Sequence, residues 1–163
     1  MNHVEKSTDV AVPVRTAYNQ WTQFEEFPLF MEGVKEVRQL DDKHLFWRAE
    51  IAGKEVHWDA EITHQEPDKS IGWRSTSGAA NEGLVTFRSL GPDQTRVTLR
   101  LQWEPEGLEQ KAGSWMGIVS KRISGDLERF KKFIEERGRE TGAWRGEIAG
   151  GQVKKPGTMQ AGF

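Results

Sequence analysis

The chain has 163 residues, a formal net charge of −2 at pH 7 and no cysteine. This length suits one domain with a sizeable core, and the charge gives no reason to expect nucleic-acid binding. The absence of thiols excludes disulfides, cysteine-ligated zinc and thiol catalysis. No apolar run reaches the roughly 18 to 20 residues of a membrane span, and the first residues lack the apolar core of a secretory signal. We therefore expect a cytoplasmic protein without a membrane span.

The N-terminal part predicts a strand followed by a short helix. The stretch HVEKSTDVAV alternates as a strand does, and Pro13 stands where helices accept proline. Apolar residues then recur at the spacing of one helix face: Val14, Ala17, Tyr18 and Trp21. The pattern indicates a short helix with one buried side.

The connector after this helix, FEEFPLFMEGV, is unusually apolar. Its apolar side chains surround Pro28 and are Phe24, Phe27, Leu29, Phe30 and Met31. Loops normally lie on the surface and carry polar residues, so this connector raises the question of what its apolar side chains cover.

From Val34 onward the hydrophobic period changes to two. Alternating runs separated by short turns occur near residues 34–40, 45–51, 56–64, 71–75, 83–87 and 97–103. Six consecutive strands joined by short turns predict an antiparallel meander.

The last predicted element is a long helix from about Leu108 to Arg137. Its buried stripe consists of Ala112, Trp115, Val119, Ile123, Leu127, Phe130 and Ile134. Residues 139–163 show no period and contain several glycines, so we expect a flexible C-terminal tail after a domain of residues 1–138.

This order of elements predicts an α+β protein with internal space. A strongly curved antiparallel sheet cannot collapse onto itself, and one long helix across its concave side leaves room between helix and sheet. The short helices would close one end of that space.

Four strand motifs carry a family resemblance: WDAEI (Trp58–Ile62), IGWRS (Ile71–Ser75), NEGLVTF (Asn81–Phe87) and TRVTLRLQWEPEG (Thr95–Gly107). With the order of elements, they resemble the polyketide cyclase/dehydrase branch of the START and Bet v 1-like (SRPBCC) superfamily. The resemblance implies a helix-grip fold, a curved sheet wrapped around the C-terminal helix. It also implies an internal cavity for an apolar or aromatic small molecule, lipid-like or polyketide-like.

Strand alternation selects the residues that would line this cavity. The predicted lining rings and aliphatic groups are Trp47, Trp58, Trp73, Phe87, Leu99 and Trp103, and Ser75 and Asn81 are the polar groups that would orient a ligand. We expect Phe27, Leu29, Phe30 and Met31 to form a lid over one mouth. The alternative is that these four residues simply fill the end of the core.

The sequence shows no metal site and no cofactor motif. His57, Asp59 and Glu61 alternate on one strand face, but that face is the polar side of a hairpin, which favours simple solvent exposure. A cyclase would need an acid or base facing the cavity, and alternation turns Arg48, Arg74 and Glu82 away from it.

Three functions therefore stay open. The first is a binder of an apolar small molecule, and the second is a cofactor-independent cyclase or dehydratase. The third is an interaction or stress-related domain with a vestigial cavity, in which the tail would dock a protein partner that the sequence does not identify.

Overall fold

The computed structural model describes residues 2–51, 53–104, 112–157 and 160–161. The strands are β1 (Asn2–Val10), β2 (Val34–Gln39), β3 (His44–Ile51), β4 (Lys54–Glu66), β5 (Ser70–Gly78), β6 (Ala80–Gly91), β7 (Gln94–Glu104), β8 (Gly142–Ala143), β9 (Glu147–Ala149), β10 (Gln152–Lys155) and β11 (Gln160–Ala161). The helices are α1 (Val14–Trp21), a 3-10 helix (Phe24–Leu29) and α2 (Ala112–Arg137).

The main sheet has the strand order β1-β7-β6-β5-β4-β3-β2, and all neighbours are antiparallel. The predicted meander is thus confirmed as β2 to β7, with β1 closing the far side beside β7. The register between β4 and β5 shifts twice, between Asp59 and Ala60 and between Ile62 and His64. Such bulges bend a strand and increase its twist, which contributes curvature at the middle of the sheet.

Helix α2 packs across the sheet through the predicted apolar stripe. Its described members, Val119, Ile123, Leu127, Phe130 and Ile134, all belong to the same core as the inner faces of the strands. The predicted start at Leu108 and the side chains of Ala112 and Trp115 lie outside the described residues. In the part of the chain that the structure describes, no helix is long and apolar enough to cross a membrane.

An aromatic cluster around Trp21 joins α1, the 3-10 helix and α2. The centroid of the Trp21 ring lies 4.8 Å from Phe130, 5.6 Å from Phe27 and 6.1 Å from Phe30. Most of these pairs meet edge to face or tilted, as aromatic rings prefer. The short helices are therefore fixed to the core at the end where α1 meets α2.

The C-terminal segment differs from the prediction of a flexible tail. Residues 142–155 form three short strands, and the side chains of Trp144 and Ile148 are buried. Ile148 pairs with Gln65 near the end of β4. The pairing of β4 with β3 ends earlier, at Glu61 opposite His44, the first residue of β3. Strands β9 and β10 thus extend the sheet along an edge that β3 leaves uncovered, while β8 pairs with β11 in a separate two-stranded sheet.

We predict that Phe130→Ala lowers the free energy of unfolding by about 3 to 5 kcal/mol, because it removes a fully buried ring from the Trp21 cluster. Urea denaturation measures the change, with exposed Lys132→Ala on the same helix as the control. A loss below about 1 kcal/mol would contradict the helix register described here.

Candidate functional site

A cavity of about 120 Å³ lies between the inner face of the sheet, α2 and the short N-terminal helices. The sheet contributes residues from β3 to β7, and α2 contributes Val119, Arg122, Ile123 and Asp126. Trp21 and Phe24 close the N-terminal end. The wall is almost entirely apolar, so the space suits an apolar guest better than a cluster of waters.

Most of the residues that alternation selected lie in this wall. Trp47, Trp58, Trp73, Asn81, Leu99 and Trp103 all line the cavity. Trp47 and Trp58 stack with their centroids 5.5 Å apart, and Trp103 meets Trp58 edge-on at 5.4 Å. The three rings form a continuous aromatic surface across β3, β4 and β7.

Ser75 and Phe87 do not line the cavity. The Ser75 hydroxyl accepts a hydrogen bond from the backbone N–H of Asn81, so it serves the junction between β5 and β6. Phe87 is buried, but it packs edge-on against Tyr18 and Trp21, behind the cavity end. Alternation correctly identifies its inner face, but not its position along the sheet.

The four predicted lid residues have different surroundings. Phe27 and Met31 line the cavity, and the Phe27 ring lies 5.5 Å from Trp47. Phe30 packs instead against Phe130 and Phe133 of α2. Leu29 is 64% exposed at the end of the 3-10 helix and covers nothing. Only Phe27 and Met31 therefore stand where a lid would touch a ligand.

Asn81 and Gly83 hold Trp73 in the wall. The Trp73 indole N–H donates to Asn81 Oδ1 over 3.3 Å, and the Asn81 amide donates to the Ala79 carbonyl over 3.0 Å. A Cβ at position 83 would lie 2.3 Å from the Trp73 ring, so only glycine leaves room for the ring. Asn81 is thus engaged with the wall itself, and it is less available to a ligand than the sequence predicted.

The polar end of the cavity is formed by α2 and the loop that follows the lid. Arg122 Nη1 donates to the backbone carbonyls of Glu32 and Glu50 over 2.8 Å and 3.0 Å. It occupies the place where a side chain at Gly33 would begin, since a Cβ there would lie 1.8 Å from Nη1. Gly33 also has a φ of +89°, which favours glycine.

Asp126 is the buried acid at this end. Its Oδ1 accepts the backbone N–H of Glu32 over 3.1 Å and is paired with the guanidinium of Arg129. Burial raises the pKa of the Asp126 carboxyl to about 6, although the hydrogen bond from Arg129 and the charges of Arg129 and Arg122 act in the opposite direction. A carboxyl with such a pKa can exchange protons near neutral pH.

Strand alternation does not reveal Asp126, because this residue lies on α2 and not in the sheet. The signal was present in the helix: Asp126 follows Val119 by seven residues and precedes Phe130 by four. This spacing places a carboxyl on the buried stripe, and a charged residue there is unusual enough to mark a candidate site.

The strand face with His57, Asp59 and Glu61 shows no metal geometry. His57 lies beside Phe46, Asp59 accepts a hydrogen bond from Ser77, and Glu61 pairs with Lys43 and Arg74. Among the described residues, no group of three histidine, aspartate or glutamate side chains could hold a metal ion.

Comparison with known proteins shows to which family the chain belongs. The family described as polyketide cyclase/dehydrase and lipid transport matches residues 10–132. An uncharacterised protein of 17.2 kDa from Streptomyces lincolnensis is 49% identical over 149 residues, which cover 91% of this chain and 99% of that one. The chain belongs to the polyketide cyclase/dehydrase and lipid transport family. The resemblance found in the strand motifs is thus confirmed.

Solved structures agree with this family at the level of fold. A Deinococcus radiodurans protein is 32% identical, covers 84% of this chain and 99% of its own, and superposes with a TM-score of 0.67. An aromatase/cyclase from a Streptomyces species superposes with a TM-score of 0.72 over 85% of this chain and 96% of its own, at 16% identity. This chain therefore shares its helix-grip architecture with both structures.

The raised pKa of Asp126 predicts a pH-dependent effect of Asp126→Asn. Because the folded protein holds this proton more tightly than the unfolded chain, the carboxyl destabilises the fold increasingly as pH rises from about 4 to about 6. Relative to Asp126→Asn, the unmodified protein should therefore lose about 2 to 3 kcal/mol of stability between pH 4 and pH 7.5.

Urea denaturation across this pH range measures the difference. Asp93→Asn at an exposed turn controls for the general effect of removing one carboxylate. A stability difference that stays constant with pH would mean that the Asp126 carboxyl is not held in its neutral form by burial.

Proposed function

We propose that this protein binds an apolar, flat small molecule in the cavity between α2 and the sheet. The observation that carries the proposal is the wall of stacked and edge-on tryptophan rings, Trp47, Trp58 and Trp103, around empty space. Aromatic faces offer a large apolar contact area at small entropic cost to a ring-shaped guest. The family membership supports the same class of ligand.

The size of the cavity restricts the ligand. About 120 Å³ is close to the volume of an engineered apolar cavity that holds one benzene molecule, and it is well below the roughly 300 to 1,000 Å³ of pockets for drug-sized ligands. One or two fused rings are therefore the expected guest.

Arg122 and Asp126 supply the polar contacts for one end of the ligand. In the described part of the chain no residue donates a hydrogen bond to Asp126 Oδ2, while Oδ1 is occupied by the Glu32 N–H and Arg129. A neutral Asp126 could donate a proton to a carbonyl oxygen, and an ionised one could accept a hydroxyl proton. We therefore expect a ligand with one hydroxyl or carbonyl group on an apolar ring system.

Titration with naphthol and with naphthalene, followed by tryptophan fluorescence, tests this proposal. Both should quench saturably, and naphthol should bind more tightly because its hydroxyl can meet Asp126. Ala49→Leu fills the cavity from β3 and should weaken both at least about tenfold, which corresponds to about 1.4 kcal/mol. The same change at exposed Ala80 is the matched control. Equal binding to the two leucine variants would place the ligand outside the cavity.

A second function, cyclase or dehydratase chemistry, is favoured by Asp126 alone. A general acid or base works best with a pKa near the operating pH, and burial gives Asp126 a pKa of about 6 beside an apolar cavity. With a short poly-β-ketone as substrate, ring formation followed by absorbance should fall at least about a hundredfold in Asp126→Asn while naphthol still binds. Equal turnover by Asp126→Asn and by the unmodified protein would show that Asp126 takes no part in the reaction.

A further inference from the structure

The segment of residues 139–157 lies outside the family match, which ends at residue 132. It nevertheless packs against the part of the domain that closes the cavity. Residues Glu140, Thr141, Trp144 and Arg145, which we call the latch residues, all contact α1 or the turn that follows it.

The contacts between the latch residues and α1 are specific hydrogen bonds. The backbone N–H of Thr141 donates to Gln20 Oε1 over 2.8 Å, and Gln20 Nε2 donates back to Thr141 Oγ1 over 3.1 Å. The hydroxyl of Thr141 also donates to the carboxylate of Glu26 in the 3-10 helix. One threonine thus joins both short helices.

Asn19 and Thr22 are bound in the same way. Asn19 Nδ2 donates to Glu140 Oε2 over 2.7 Å, and its Oδ1 accepts from Arg145 Nη1 over 2.6 Å. Thr22 Oγ1 accepts the backbone N–H of Trp144 over 3.1 Å. Arg145 is held in turn by Asp68 at 2.9 Å and lies 5.6 Å above the Tyr18 ring.

The burial of α1 shows why these bonds matter. The side chains of Asn19, Gln20 and Thr22 are at most 2% exposed, although all three are polar. If the latch residues moved away without water taking their place, these buried groups would lose hydrogen-bond partners, which is unfavourable. The position of α1 and the docking of the C-terminal segment are therefore coupled.

The opposite side of the same helix forms the cavity wall. Trp21 stands between Gln20 and Thr22 in the chain and lines the cavity, and Phe24 and Phe27 follow it there. Asn19, Gln20 and Thr22 bind the C-terminal segment, whereas Trp21, Phe24 and Phe27 line the cavity. Movement of one set requires movement of the other.

We infer that the latch residues hold the Trp21–Phe27 wall closed, so that their release sets the rate at which ligands enter and leave the cavity. The kinetic part of this inference rests on the proposed function. The wall cannot open through the sheet, because the main strands are hydrogen-bonded to their neighbours along their length. The short helices are joined to the remainder by side chains and short strands, and such regions open locally before the core does.

The test compares Arg145→Met with Lys154→Met in the full chain. Both variants replace a basic residue of the C-terminal segment by methionine. Lys154, however, is exposed on β10, and its ammonium group donates a hydrogen bond to Gln152 of the same strand. Thr141→Val is a second latch variant, which keeps the shape of the side chain and removes the hydroxyl. It provides the comparison if Arg145→Met fails to fold.

Two measurements are made on each protein. Hydrogen–deuterium exchange of residues 14–31 without ligand should become at least about fivefold faster in both latch variants and stay unchanged in Lys154→Met. Stopped-flow quenching with naphthol should show association and dissociation both at least about tenfold faster, with the equilibrium affinity changed less than about threefold.

The outcomes separate the two claims. Unchanged exchange in both latch variants would overturn the inference, and faster exchange with unchanged naphthol rates would overturn its kinetic part. If naphthol does not bind the unmodified protein, the proposed function fails for this ligand class. The exchange of residues 14–31 then decides alone whether the latch holds the wall.

Discussion

The structure depends on one packing constraint: a single helix must cover the concave face of a sheet that carries four tryptophan rings. Trp47, Trp58, Trp73 and Trp103 come from β3, β4, β5 and β7. The Trp58 ring contacts those of Trp47 and Trp103, and the indole N–H of Trp73 is held by Asn81. Protein interiors are normally as dense as organic crystals, so a void surrounded by large rings needs a rigid surround. The antiparallel ladder provides it on the sheet side, and the Trp21 cluster provides it at the helix end. The cavity is thus a consequence of curvature and ring size together.

The same constraint explains which parts of the structure could be predicted from sequence. Alternation predicts the meander because each strand has one buried face, and it places Trp47, Trp58 and Leu99 correctly on the inner side. It does not show how far along the sheet a residue lies, which is why Phe87 is behind the cavity end and Ser75 binds the Asn81 backbone instead. The docking of residues 142–155 could not be predicted because strands of two to four residues have no detectable period, and because β9 pairs with β4 over a long sequence separation.

The buried carboxyl of Asp126 is unfavourable for the stability of the fold, yet it lies in the wall of the cavity. An apolar residue at that position would extend the stripe of α2, whereas the carboxyl must be compensated by the Glu32 N–H and Arg129 and still has its pKa raised by burial. Arg122 and Arg129 also bind the backbone carbonyls of Glu32 and Phe30, so the loop after the lid is fixed by α2 from the polar side. A costly group placed beside an otherwise apolar cavity, and surrounded by fixed donors, is the arrangement expected of a site that recognises one polar atom of a ligand.

The described elements around the cavity are held in place by different interactions, and this difference determines which of them could move to admit a ligand. The main sheet is continuous from β1 to β2, and the described part of α2 buries a stripe of side chains from Val119 to Ile134. The wall formed by Trp21 and Phe27 is different, because its outer side consists of buried polar groups whose partners belong to a distant part of the chain. Hydrogen bonds of this kind exchange readily for bonds to water once the groups are exposed, whereas apolar contacts do not. Opening at the short helices would therefore break these hydrogen bonds and also separate the Trp21 ring from Phe130 and Phe30, so its cost has a polar and an apolar part. The polar part is the one that the latch residues control.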